Sequence, residues 1–147
     1  MASEIRSYED LDAWHRGIDL SVRLYEVAVL LPKSEQYEMS SQIRRAAVSI
    51  PSNVAEGHAR RKPKPYLNHV HISLGSLAEV VTCLVIANRL GFISAERLAT
   101  ERRETDRVGQ LLHGLARSLE DRIAKEGSAL RLGLIVWALS GWLVALL

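Results

Sequence analysis

Residues 42–57 read Gln-Ile-Arg-Arg-Ala-Ala-Val-Ser-Ile-Pro-Ser-Asn-Val-Ala-Glu-Gly, and they decide the fold. Apolar side chains recur in and beside this stretch at steps of three and four residues, which places them on one face of a helix. They are Met39, Ile43, Ala46, Ile50 and Val54. Pro51 cannot donate to the carbonyl group four residues earlier, which costs about 3 kcal/mol in an unadapted helix. The stretch therefore predicts an amphipathic helix, from Ser34 to His58, that is kinked at Pro51.

Another amphipathic helix is predicted before this one. It begins after Ser7, with acidic residues near its positive end, and it ends at Pro32, which lacks a backbone donor. Its apolar stripe is close to a seven-residue repeat. The stripe consists of Leu11, Trp14, Ile18, Val22, Tyr25 and Val29.

Two more helices follow a loop at residues 60–65, where two prolines and four cations interrupt the helical pattern. The third helix has the heptad Leu67, Val70, Leu74, Leu77, Val81 and Leu84, and it ends at Leu90-Gly91. The fourth begins at Ser94, with Leu98, Thr105, Val108, Leu112, Leu115, Leu119 and Ile123 facing inward. Because the connections are short, residues 1–126 are predicted to form an all-α, up-down-up-down antiparallel four-helix bundle.

Residues 127–147 form a separate apolar C-terminal segment in this interpretation, with Gly127 as the stop of the fourth helix. The sixteen residues 132–147 carry no charge. A membrane anchor, a helix buried between subunits and a read-through segment without a selected function are the three hypotheses. Trp137 and Trp142 lie in the middle of the run, which weakens the anchor hypothesis. Membrane association through residues 132–147 therefore remains open.

Charge is segregated along the chain, although the net charge is only +2. Residues 1–38 carry eight acids against four bases, a sum of −4, and residues 39–65 carry six bases against one acid, a sum of +5. Such a split suits an electropositive binding surface or complementary faces in self-assembly. We expect a homo-oligomer in which acids such as Asp12 and Asp19 meet basic residues of a neighbour's second helix.

Six cations are the candidate nucleic-acid-binding residues: Arg44, Arg45, Arg60, Arg61, Lys62 and Lys64. The last four cluster on the proline-containing loop without an acid nearby in sequence, and a phosphate backbone would relieve their repulsion. Arg44 and Arg45 point about 100° apart on a helix. They either contact phosphate or form salt bridges to the acidic first helix of the same or a neighbouring subunit.

The residues that accompany Pro51 form a predicted structural motif of Pro51, Ser52, Asn53, Glu56 and Gly57, with Gly75 on the third helix. We expect the polar groups of Ser49, Ser52 and Asn53 to satisfy the carbonyl that Pro51 leaves without a donor. Glu56 is expected to pair with an arginine. Gly75 is expected to permit a close helix approach beside Ser76.

Catalytic chemistry is not indicated by the sequence. No local motif supplies a base for Ser49 or Ser52, and His69 and His71 are two residues apart, whereas a helical metal pair prefers a spacing of four. Cys83 lies in an apolar stretch and is expected to be a buried, inert thiol. We therefore predict no enzymatic activity, no cofactor and no metal site.

The motif of residues 42–57, followed by Gly75-Ser76-Leu77-Ala78-Glu79, resembles the bacterial four-helix-bundle proteins encoded by intervening sequences in 23S rRNA genes. The opening Tyr8-Glu9-Asp10-Leu11-Asp12-Ala13-Trp14 and the turn Leu31-Pro32-Lys33-Ser34-Glu35 resemble that family too. These proteins resemble the accessory protein of diversity-generating retroelements, a pentameric barrel with a basic surface that binds a reverse transcriptase and nucleic acid. The resemblance implies a cytoplasmic homo-oligomer, a pentamer, without established enzymatic activity.

Two functions are consistent with these observations. The first is a non-enzymatic, oligomeric bundle that binds RNA or a nucleic-acid-processing partner through a basic surface. The alternative is a structural homo-oligomer that binds no nucleic acid and associates with a membrane through its C-terminal segment.

Overall fold

A computed structural model describes the backbone of residues 6–145 and the side chains of residues 6–129. Its four α-helices are α1 (Asp12–Leu30), α2 (Met39–Ala59), α3 (Pro63–Arg89) and α4 (Ala95–Ala145), and short 3-10 turns at Tyr8–Asp10 and Lys33–Glu35 precede α1 and α2. Residues 6–145 contain no strand. Helices α1 and α3 each pack against both α2 and α4, so the predicted all-α four-helix bundle is confirmed.

The helix ends follow the local signals in the sequence. Ser7 caps the turn before α1, since its Oγ accepts a hydrogen bond from the Glu9 N–H at 3.2 Å. Ser94 Oγ accepts from the Arg97 N–H at 3.1 Å, which confirms Ser94 as the cap of α4. Gly91 ends α3 with φ of 76°, a left-handed conformation that glycine adopts without strain.

The core lies between the four helices and contains most of the predicted stripes of α2, α3 and α4. Its largest fully buried apolar side chains are Leu20, Leu24, Ile43, Ile50, Leu84, Leu112, Leu119, Val27, Val54, Val70 and Val80. Cys83 is buried, as predicted, and burial raises the pKa of its thiol, so the reactive thiolate is disfavoured.

The predicted stripe of α1 is wrong. Four of its six members are exposed: Ile18 at 38%, Val22 at 59%, Tyr25 at 44% and Val29 at 77%. The bundle instead buries an adjacent face of Ala13, Gly17, Leu20, Ser21, Leu24, Val27 and Ala28. This face has small residues that let α1 approach α2, because a Cβ on Gly17 would lie only 3.2 Å from the Pro51 Cβ.

The carbonyl that Pro51 leaves without a backbone donor belongs to Ala47. Ser21 Oγ of α1 lies 2.7 Å from it and also 2.7 Å from the Gly17 carbonyl oxygen, so its one hydroxyl hydrogen serves both acceptors. The prediction that Ser49, Ser52 or Asn53 would satisfy this carbonyl is therefore wrong. Asn53 instead donates its side-chain N–H to the Ser49 carbonyl at 2.9 Å. Ser21 reaches Ala47 because Gly17, one turn earlier on α1, allows the close approach of the two helices.

Removing the Ser21 hydroxyl should destabilise the bundle only while Pro51 is present. Ser21→Ala leaves the buried Ala47 carbonyl without this donor and should cost about 1 kcal/mol. In a Pro51→Ala background the N–H of residue 51 can serve that carbonyl, so Ser21→Ala should cost less. Urea unfolding of the four proteins in this double-mutant cycle measures the coupling, and equal costs in both backgrounds would contradict the assignment.

The structure differs from the sequence prediction at the end of the 60–65 loop and at Gly127. Helix α3 already begins at Pro63, because proline is tolerated in the first helical turn. The connection from α2 is therefore short, and Arg61 within it has φ of 58°. The predicted stop at Gly127 is also wrong, since α4 continues through it to Ala145. An interior glycine costs only about 1 kcal/mol, which does not by itself end a helix.

Among the described residues, α3 is the helix that is long and apolar enough to cross a membrane by length and composition. It packs against α2 and α4 within the bundle. That composition therefore reflects its place in the core.

Candidate assembly groove and basic end

An apolar groove runs along the surface between α1 and α2, and we call it the α1–α2 groove. Its volume is about 640 Å³, and its apolar lining comes from Tyr8, Trp14, Ile18, Val22, Tyr25, Val48, Pro51 and Ala55. The exposed stripe of α1 forms one wall. The wide apolar lining makes this groove a site for another apolar surface rather than for a charged ligand.

Two arginines lie beside one end of the α1–α2 groove, and two acids of α1 lie outside its lining. Asp12 and Asp19 are exposed on α1. Arg44 and Arg45 border an adjoining pocket that shares Tyr25 with the groove. A surface that filled the groove would therefore meet an apolar centre and two arginines at one end.

Neither Arg44 nor Arg45 forms a salt bridge to the acids of α1 within residues 6–129. Arg44 donates to the Gln36 carbonyl at 3.2 Å, and Arg45 donates to Ser41 Oγ at 2.8 Å and to the Gln42 side chain. The proposed pairing within one subunit is thus not formed. Pairing with a neighbouring subunit stays a prediction.

The second surface is the basic end, which we define as Arg60, Arg61, Lys62 and Lys64 at the α2–α3 connection. All four side chains are exposed. Arg61, Lys62 and Lys64 line a pocket of about 560 Å³ together with Ile123, Glu126 and Gly127 of α4. Across the described part of the chain, no carboxylate lies within ion-pair distance of these four cations. The mutual repulsion of these cations is therefore reduced by solvent ions or by a bound polyanion.

The six predicted nucleic-acid-binding cations do not form one patch within a subunit. Arg45 and Arg60 are separated by fifteen residues of α2, which is about 22 Å along a helix axis. Only the basic end is a cluster.

The predicted motif residues around Pro51 join α2 to α3. Asn53 Oδ1 lies 2.9 Å from His69 Nδ1, and Glu56 Oε2 lies 3.9 Å from the same nitrogen. The prediction that Glu56 pairs with an arginine is wrong, since its partner is His69. Ser52 is half-buried and lines the α1–α2 groove.

The two motif glycines have opposite environments. A Cβ on Gly57 would lie 2.8 Å from Tyr66 Cε2 and 2.9 Å from His69 Cβ, so Gly57 permits the close packing of α2 on α3. Burial raises the pKa of this Tyr66 to about 12. Gly75 is exposed, and a Cβ there would meet nothing within 4 Å. The predicted close approach at Gly75 is therefore wrong.

A buried ion cluster between α1 and α4 was missed by the sequence analysis. Glu101 is fully buried. Arg23 donates to its two carboxylate oxygens at 3.0 and 2.9 Å, and Arg97 Nε lies 2.8 Å from Oε1. The carboxylate is enclosed by its two guanidinium partners, so this cluster holds helices together and offers no open site to a ligand.

No group of three or more His, Cys, Asp or Glu side chains that could hold a metal ion occurs among the described residues. The fold and these surfaces define the class as a small helical-bundle protein with an apolar groove and a basic end. Residues 9–114 match the family of 23S rRNA-intervening sequence proteins, and the chain belongs to that family. The resemblance stated from the sequence motif is thereby confirmed, whereas the relation to retroelement accessory proteins remains a resemblance.

The chain is also similar to a solved structure. This is the crystal structure of a protein of unknown function from the S23 ribosomal protein family of Bacteroides thetaiotaomicron. The TM-score is 0.66 at 21% sequence identity, over 71% of this chain and 97% of the other. At that identity the likeness supports the fold. No curated protein matches the sequence significantly.

Proposed function

We propose that this protein is a non-catalytic bundle that assembles with copies of itself through the α1–α2 groove and binds RNA through its basic end. The observation that carries the proposal is the exposed apolar stripe of α1, where Val22 is 59% exposed beside the groove. Monomeric soluble proteins rarely leave a contiguous apolar patch of this kind uncovered. A second copy supplies an apolar surface of the same kind, and its exposed acids Asp12 and Asp19 are candidate partners for Arg44 and Arg45.

A charge placed in the groove should disrupt the assembly. Val22→Glu puts a carboxylate into the apolar contact without changing the core. The dissociation constant of the oligomer should therefore rise at least about tenfold. Ile72→Glu is the matched control, because Ile72 is 51% exposed on α3, away from the groove. Sedimentation analysis of the full chain in one mild detergent compares the masses. A wild-type monomer, or equal masses for wild type and Val22→Glu, would contradict the assembly surface.

The basic end supports the RNA part of the proposal. Its four exposed cations have no carboxylate partner among the described residues, and they project from the short connection between α2 and α3. Lysine and arginine held this way bind phosphates by releasing counterions, which makes the affinity dependent on salt but not on sequence.

Changing Arg60, Arg61, Lys62 and Lys64 together to glutamine should weaken the binding of an RNA hairpin transcribed in vitro. If all four cations contact phosphates, the slope of log affinity against log salt should fall by about three to four units. Arg102, Arg103, Arg107 and Arg117 of α4, changed together to glutamine, remove the same charge elsewhere and should leave most of the slope. An unchanged slope in the first variant would show that RNA does not contact the basic end, and Arg44 and Arg45 would be tested next.

One observation favours the alternative of a scaffold without nucleic acid: α4 runs as a single helix into the uncharged residues that begin at 132. Purification with and without nuclease separates the two functions. RNA that copurifies and can be sequenced supports RNA binding, whereas an oligomer free of nucleic acid supports the scaffold.

A further inference from the structure

Helix α4 leaves the bundle at the basic end. It has 51 residues against 27 in α3, which corresponds to about 76 Å against about 40 Å. Within residues 95–129, whose side chains the structure describes, the last fully buried side chain is that of Leu119, Ile123 is half-buried, and the side chains of residues 124–126 are exposed. The helix therefore emerges from the bundle near residues 123–127.

This exit point coincides with the four cations of the basic end. Arg61, Lys62 and Lys64 line one pocket together with Ile123 and Gly127 of α4. The uncharged run begins at residue 132, five residues beyond Gly127, or about 7–8 Å along the helix axis. That distance is within one Debye length at physiological salt, about 8 Å.

The other charges of α4 around the exit point cancel. Arg122, Lys125 and Arg131 of α4 add three positive charges, and Glu120, Asp121 and Glu126 add three negative ones. The acids Glu9 and Asp10 also lie at this end, since their turn packs beside His58 of α2, whereas the pocket at the exit point itself is lined by three basic-end cations and Glu126.

We propose that this end of the bundle lies on an anionic lipid surface, with the α4 continuation entering the hydrocarbon region and the basic end at the lipid phosphates. An uncharged helix satisfies its backbone hydrogen bonds internally, which lets it enter lipid. Basic residues next to such a helix bind anionic headgroups, and each one near the surface strengthens binding by about fivefold. A run that served only to pack between subunits would need no cluster of cations at its entrance.

Lipid docking also regulates the site proposed above, a consequence that rests on the proposed RNA binding. The cations that would contact RNA phosphates are those that would contact lipid phosphates. With the hydrocarbon boundary only about 7–8 Å from Gly127 along α4, the headgroups occupy the space in front of the basic end. A membrane-bound molecule therefore cannot hold RNA at this surface.

Vesicle flotation of the full chain tests the lipid proposal. The vesicles are phosphatidylcholine alone or phosphatidylcholine mixed with phosphatidylglycerol. The wild type should bind the anionic vesicles at least about tenfold more tightly than the neutral ones, and high salt should reduce this preference. The basic-end quadruple glutamine variant should lose most of the preference, while the α4 quadruple variant used above as a control should keep it.

Two results would overturn the proposal: no lipid preference in the wild type, or a preference that survives removal of the basic-end cations. The salt titration uses the unmodified chain, so the test holds even where a variant fails to fold. An oligomer that does not float with either vesicle type would place the uncharged run between subunits instead.

Competition with labelled RNA separates this inference from the proposed function. Anionic vesicles should displace the RNA hairpin from the wild type, whereas neutral vesicles should displace it far less. If the protein binds anionic vesicles but no RNA, the RNA function fails and lipid docking stands. If the protein keeps RNA bound while it is on anionic vesicles, then lipid and RNA do not compete for the basic end. RNA binding would then stand without the proposed competition.

Discussion

Glu101→Gln is expected to lower the free energy of unfolding by about 2–3 kcal/mol, because its buried carboxylate no longer pairs with two charged guanidinium groups. The Glu101 side chain is fully buried, and its carboxylate forms salt bridges with Arg23 of α1 and Arg97 of its own helix. Without the negative charge, two guanidinium groups face each other between α1 and α4. Glutamine keeps the size of the side chain, so the effect reports the charge rather than a cavity.

Urea unfolding followed by circular dichroism measures this effect, with Glu104→Gln as the control. Glu104 forms a more exposed pair with Arg107, at 3.0 Å and three residues apart on the same helix. Such a pair contributes about 0–1 kcal/mol. If the two variants lose similar amounts of stability, the Glu101 cluster does not hold α1 against α4.

The sequence could not reveal this cluster. A charged residue on a helix is normally solvated, so Glu101 gave no sign of burial. Its partner Arg23 lies 78 residues away, and only the packing of α4 on α1 brings the two together. Predicting such a contact requires the relative rotation of two helices, which a helical period does not specify.

The same lack of rotational information explains the error on α1. This helix has apolar residues on two adjacent faces, and the heptad selected the face with the larger side chains. The bundle buries the other face, because Gly17 and Ser21 fit against Pro51 and Ala47. The excess of apolar residues was itself readable from the sequence, and together with the segregated charge it favours self-assembly, which stays a prediction.

The stripes of α2, α3 and α4 were largely predictable, because each of these helices concentrates its apolar residues on one main face. For Pro51 the sequence indicated the need for a donor but not its origin. The donor is Ser21, 26 residues from Ala47, whereas the predicted groups were neighbours in sequence. The basic end was predictable as a run of cations, but its position beside the exit of α4 required the fold.

Gly57→Ala and Gly75→Ala should change stability in opposite directions, although both replace a helical glycine by a better helix former. Alanine gains about 0.5–1 kcal/mol over glycine within a helix. At Gly75 nothing lies within 4 Å of the added methyl group, so the full gain should appear as increased stability.

At Gly57 the added methyl group would lie 2.8 Å from Tyr66 Cε2 and 2.9 Å from His69 Cβ. Tyr66 is buried and cannot swing into solvent, and the Cβ of His69 moves only with the backbone of α3. Helices α2 and α3 must therefore separate, and overpacking of this kind should cost about 2–3 kcal/mol net of the helix propensity gained. Urea unfolding of both variants measures whether each change raises or lowers the free energy of unfolding relative to the wild type. If Gly57→Ala stabilised the protein as Gly75→Ala should, the close packing of α2 on α3 at Tyr66 would be contradicted, because the only term left would be the helix propensity that the two sites share.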